Sequence, residues 1–87
     1  MSKATIYEVM AAIKAERDFQ DEKHGTDSHP IGSWLLILES ELAEAKEAAI
    51  KPASGRDNVI AEIIQIAAVC FACLEEHGIE PIEGRTV

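Results

Sequence analysis

The sequence predicts an all-α fold, with antiparallel helices forming a helix bundle completed by oligomerisation. Three observations lead there. Apolar residues recur at helical spacing in three segments. The chain holds only three prolines and five glycines, and most of them cluster between those segments. The third segment is apolar all round, and such a helix must be covered all round. The other two helices of one chain cannot do that, so a second copy is expected to finish the bundle. The 87 residues form a single domain, 1–87. A chain of this size buries only about 60–65% of its unfolded surface, and self-association is one way to supplement so thin a core.

The first helix is predicted over residues 5–23. Thr5 and Glu8 fit a capping box, in which the hydroxyl takes an orphan amide and the carboxylate reaches back. Ile6, Val9, Met10 and Ile13 form its apolar stripe, which fades after Arg17 into the polar run RDFQDEKH. Gly25 should stop it. The loop HGTDSHPIGS follows, with Ser33 as the expected N-cap of a second helix over 34–51. Pro52 and Gly55 should end that helix. Asp57 or Asn58 should cap the third, over 57–77, with Gly78 as its stop. The tail 78–87 reads as extended or loosely docked.

Composition narrows the classes of function. The net charge of −8 opposes binding to nucleic acid or to anionic lipid, so neither is an expected partner. A phosphate ligand would be repelled too, unless a divalent cation came with it. The first residues, MSKATIYEV, lack the charged-then-apolar layout of a secretion signal, and a reducing, cytoplasmic setting is expected. The apolar stretch 59–74 is interrupted by Glu62 and Gln65, and what lies between Gln65 and Glu75 is too short to span a bilayer.

The glutamates carry the chemistry. At 100° per residue, Trp34, Ile37, Leu38, Ala45 and Ala48 share one face of the second helix, and Glu41 and Glu44 fall on it. On the third helix Val59, Ile66, Val69 and Cys73 share a stripe that also holds Glu62 and Gln65. Two helices thus each carry a polar pair at i, i+3 inside an apolar stripe. An ionised carboxylate buried without a partner costs several kcal/mol, and three together repel one another. A hard divalent cation relieves both costs, because Mg²⁺ prefers carboxylate oxygens. The competing reading places these glutamates at the stripe edge, reaching solvent. A di-iron site requires Glu-x-x-His pairs, and no histidine here follows a glutamate by three. Oxygen-only ligation suits Mg²⁺, or Mn²⁺.

At this point the residues resemble the all-α nucleoside triphosphate pyrophosphohydrolases of the MazG-like group. That group carries Glu-Glu-x-x-Glu on one helix and Glu-x-x-Asp on the next. Here the first half reads Ser40-Glu41-Leu42-Ala43-Glu44 and the second Glu62-Ile63-Ile64-Gln65. The flanking QDEKHG, HPIGSWLLILESELAEAKEA and IAEIIQIAAVCFACLEEHG are also similar to its short members, so that the resemblance extends over about 17–77. It implies Glu41, Glu44, Glu62 and Gln65 as Mg²⁺ ligands, with Gln65 in the place of the family's aspartate. It also implies hydrolysis of an NTP or dNTP between the α and β phosphates, and assembly as a homodimer or dimer of dimers. Glu41 or Glu44 then stands as the candidate catalytic carboxylate that orients the attacking water as general base.

The resemblance extends to substrate contacts. His29 and Trp34 stand where some members contact the base; the plainer reading is a loop histidine and a core tryptophan. Lys23, Lys46 and Arg56 are the candidate phosphate contacts, against solvated surface charge in each case. Lys46 projects away from the Glu41 face, and Lys23 stands first among them from its place in QDEKHG. Cys70 and Cys73, near the end of an apolar helix, read as buried free thiols. Two further readings remain beside the hydrolase: a non-catalytic helical protein that binds a nucleotide or a partner, having lost turnover with the aspartate, and a purely structural helical dimer.

Overall fold

A computed structural model describes residues 3–25, 28–51 and 55–80. The fold is all-α, three helices with no strand among the described residues: α1 (Ile6–His24), α2 (Ile31–Ile50) and α3 (Arg56–His77). Pro52, the side chains of Arg56 and Asp57, and the tail from 81 onward lie outside the described residues.

Local rules account for most of the boundaries. The capping box at the start of α1 is complete: the Glu8 amide donates to Thr5 Oγ1 at 3.1 Å and the Thr5 amide to Glu8 Oε1 at 3.0 Å. Gly25 and Gly78 end α1 and α3 in the left-handed region, at φ 74° and 82°. Their amides return to the carbonyls of Asp21 and Leu74, both at 2.8 Å.

Two expected caps are corrected. Ser33 does not cap α2; the helix starts at Ile31, three residues before the expected start at 34, with Pro30 at the cap position. The proline carbonyl already accepts from Ser33 and Trp34, so Ser33 lies inside the first turn. Neither Asp57 nor Asn58 caps α3, because Gly55 holds the extended cap conformation and the helix begins at Arg56.

α3 is the centre of the molecule. Both α1 and α2 pack on it, and they do not pack on each other. The core is small: Ile13 from α1, Trp34 and Ala45 from α2, Ala68 and Val69 from α3. Ala68 is fully buried; a methyl at the contact lets helix axes approach closely. Arg17 ties α1 to α3. Its side chain is only 12% exposed and donates from Nε to Glu75 Oε1 at 3.1 Å, while Nη1 meets Asp21 at 2.8 Å.

Much apolar surface stays open. Of the α1 stripe only Ile13 is buried; Ile6, Val9 and Met10 are exposed. Leu35, Leu36 and Leu42 on α2, and Ile60, Ile63, Phe71 and Leu74 on α3, are exposed as well. Cys70 and Cys73 are free but half-buried rather than buried, since two helices leave part of α3 uncovered. By length and composition Asn58–His77 is apolar enough to cross a membrane, with mean hydropathy 1.7. That differs from the expectation above, which counted only the uninterrupted run after Gln65. Over the whole helix, the surrounding apolar residues outweigh Glu62.

The close contact at Ala68 makes a test of the packing. Ala68→Leu is expected to destabilise the protein by about 1–3 kcal/mol through overpacking. The urea midpoint should fall while far-ultraviolet dichroism stays helical.

Candidate metal centre and adjoining cavity

The three glutamates converge. One carboxylate oxygen from each of Glu41, Glu44 and Glu62 lies within 4.8 Å of the others. The helix geometry explains why. Glu41 is followed by buried Ala45 and half-buried Ala48, and Glu62 by half-buried Gln65 and Ile66 and buried Val69, so both carboxylates lie on the faces where α2 meets α3. Glu44, one turn beyond Glu41, sits at the margin and is exposed. The small Ala48 leaves a hollow there, lined by Glu44, Glu47, Ala48, Lys51 and Glu62.

The cluster is electrostatically unfinished. Glu41 Oε2 and Glu62 Oε2 are buried without any hydrogen-bond partner. Burial pushes the Glu41 carboxyl above its ordinary value of 4.5, and the charges of Glu44, Glu62 and Glu16 push it the same way. Lys51 is engaged with Glu47 at 2.7 Å. Two orphaned acceptors, like charges in a small volume and an all-oxygen donor set fit a hard divalent cation.

Glu41 also borders a larger, open-sided cavity of about 680 Å³ between α1 and the packed pair. Gln65 lines it beside Glu41, and Lys23, His29 and Trp34 line it as well. The residues singled out in the sequence for metal and substrate contact therefore border this cavity or the adjoining carboxylate cluster, apart from Lys46 and from Arg56, whose side chain lies outside the described residues. Lys46 is exposed and borders neither hollow.

At the far end from Glu41 the wall is held by Glu76. Its carboxylate accepts from the Ser28 hydroxyl, from the His29 amide at 3.0 and 3.1 Å, and from Trp34 Nε1 at 3.0 Å. These donors hold the Glu76 carboxyl down at about 2. His77 Nε2 lies 2.7 Å from the His29 carbonyl, to which it donates in the Nε2–H tautomer. The His29 and Trp34 rings meet edge to face, with centroids 4.9 Å apart.

Sequence reasoning missed Glu16, Arg17, Gln20 and Glu76. The first three lie in the polar end of α1, where the apolar stripe seemed to fade. Spacing could have found them: Glu16, Arg17 and Gln20 follow buried Ile13 at three, four and seven residues, the same helical face. Gln20 donates to Glu16 at 3.2 Å, and both line the cavity. For Glu76 no local signal existed, because its partners lie more than 40 residues away.

No protein-family model, curated protein or solved structure matches the chain.

Glu41 and Glu76 make opposite predictions with pH. The folded value of Glu41 lies above 4.5, so its contribution is present at low pH and lost as pH rises from 4.5 through the raised value. Glu76, held at about 2, contributes above 4.5 and loses that contribution as pH falls toward 2. Without divalent cations, Glu41→Gln is therefore expected to raise the melting temperature at pH 7, as measured by thermal unfolding. Adding Mg²⁺ should raise that of the natural protein and leave Glu62→Gln nearly unmoved.

Proposed function

We propose that the chain is a Mg²⁺-dependent nucleoside triphosphate pyrophosphohydrolase of the MazG-like kind, acting on an NTP or dNTP. The observation that carries this reading is the meeting of Glu41, Glu44 and Glu62 within 4.8 Å, with two buried oxygens unpartnered. The adjoining cavity carries both cations and aromatic rings.

Glu41, Glu44, Glu62 and the Gln65 amide oxygen are the residues that would hold the metal. Bound there, a divalent cation supplies positive charge against the triphosphate and polarisation of its phosphorus–oxygen bonds. The chain's own residues do the rest. A Glu41 or Glu44 oxygen left free of ligation accepts a proton from the attacking water. That water adds across the α–β anhydride, giving a monophosphate and pyrophosphate. Lys23 lies on the cavity wall for a phosphate oxygen, and His29 with Trp34 for the nucleoside.

Assembly belongs to the same proposal. Trp34, early in α2, bonds Glu76 near the end of α3, whereas Glu44 meets Glu62 near the start of α3. This order supports an antiparallel pair. The exposed Leu36, 68% accessible, and other exposed apolar side chains on each of the three helices support closure of the bundle by a second copy. Sedimentation at micromolar concentration should then give at least twice the chain mass of 9.5 kDa.

A second reading, nucleotide binding without turnover, is favoured by one feature, the uncharged Gln65, which lines the same cavity as Glu41. An amide oxygen ligates without offsetting cation charge. Pyrophosphate release from a panel of NTPs and dNTPs with Mg²⁺ decides between them. The hydrolase reading expects release that Glu62→Gln reduces to background. A thermal shift with Mg²⁺ and nucleotide but no pyrophosphate favours binding alone. A large gain in Gln65→Asp would mark the natural site as degenerate.

A further inference from the structure

We infer that Glu76 is a positioning residue, the latch that holds the His29–Trp34 wall of the cavity in place. Several independent contacts converge on it. One carboxylate takes the Ser28 hydroxyl, the His29 amide and the Trp34 indole N–H, which joins the end of α3 to the inter-helix loop and to the first turn of α2. Those three residues all line the cavity. Trp34 is buried, 8% exposed as a residue, and its indole N–H has this carboxylate as its acceptor.

The location of Glu76 is otherwise unfavourable. The C-terminal turn of a helix carries partial negative charge, and acidic residues belong at the opposite end. α3 nevertheless ends with Glu75 and Glu76 side by side. Each is used across the fold: Glu75 by Arg17 of α1, Glu76 by the loop and α2. Local preference is broken where a long-range contact compensates for it. Because the His29 ring packs edge-on against the Trp34 ring, fixing the indole and the His29 backbone fixes both rings. The width of the cavity at that end is thereby set before any ligand arrives. Glu76 is not one of the glutamates of the metal cluster, and its role is separable from theirs.

Trp34 is the only tryptophan, so its fluorescence reports the latch directly. Glu76→Ala is expected to red-shift the emission and increase acrylamide quenching while far-ultraviolet dichroism stays helical. Glu76→Gln keeps one acceptor oxygen and should fall between Ala and the natural protein; it decides the matter if the Ala variant does not fold. The Mg²⁺-dependent rise in melting temperature should persist in Glu76→Gln, because Glu41, Glu44 and Glu62 are untouched. Unchanged emission and quenching in the folded variants would overturn the inference. The consequence for substrate rests on the proposed hydrolase reading: KM for the nucleotide should rise about tenfold or more, with kcat changing much less. If the natural protein neither binds nor hydrolyses nucleotide, that reading fails while the fluorescence still decides the latch. A released Trp34 with unchanged KM in an active enzyme would overturn the positioning role itself.

Discussion

The seam between α2 and α3 governs this structure, because it must be apolar enough to hold the two helices together and yet contains glutamates. Trp34, Ala45, Ala68 and Val69 supply the burial. Glu41 and Glu62 lie in the same seam, each with an oxygen shut away from water and unpartnered. Carboxylates in such surroundings either take up protons or gather positive charge. Glu41 shows the strain in its raised proton affinity. The packing that stabilises the pair and the electrostatics that penalise it come from the same few turns of helix, which is a common signature of a site rather than of a plain core.

Around that seam the rest of the molecule does supporting work. α1 contributes little to the core beyond Ile13, yet its C-terminal half closes one side of the cavity with Glu16, Arg17, Gln20 and Lys23. Arg17 is held between Asp21 and Glu75, which fixes α1 against α3 by charge where apolar contact is thin. Ser28 and His29, just before α2, are fixed by Glu76 in the same manner. The cavity is therefore walled by polar contacts at the end of α3 and by carboxylates toward its start. Under the proposed hydrolase reading, the base of the nucleotide would lie toward His29 and Trp34 and its phosphates toward Glu41 and the accompanying cation.

The exposed apolar residues belong to this picture. Tyr7 and Ile50 are each 79% exposed, and large side chains on all three helices face outward. An 87-residue chain with so small a core has little margin of stability of its own, and a partner that covered these faces would add burial where the single chain has least. The same faces would bring α3 into the interior that its composition demands.

Some of this was legible in the sequence, and the division has a physical basis. The all-α class, the three helices, the capping box at Thr5 and Glu8, and the faces bearing Glu41, Glu44, Glu62 and Gln65 are periodic or nearest-neighbour properties. A helix converts spacing directly into direction, so such features follow from the chain alone. The starts of α2 and α3 did not follow, because Pro30 and Gly55 took the cap positions through backbone conformation rather than side-chain hydrogen bonding. Only the tertiary structure decided that Glu16 joins the field around Glu41, that Arg17 bridges to Glu75, and that Glu76 gathers Ser28, His29 and Trp34. These contacts join residues 25 to 58 positions apart, and periodicity along one helix does not say which turn of another helix will lie beside it.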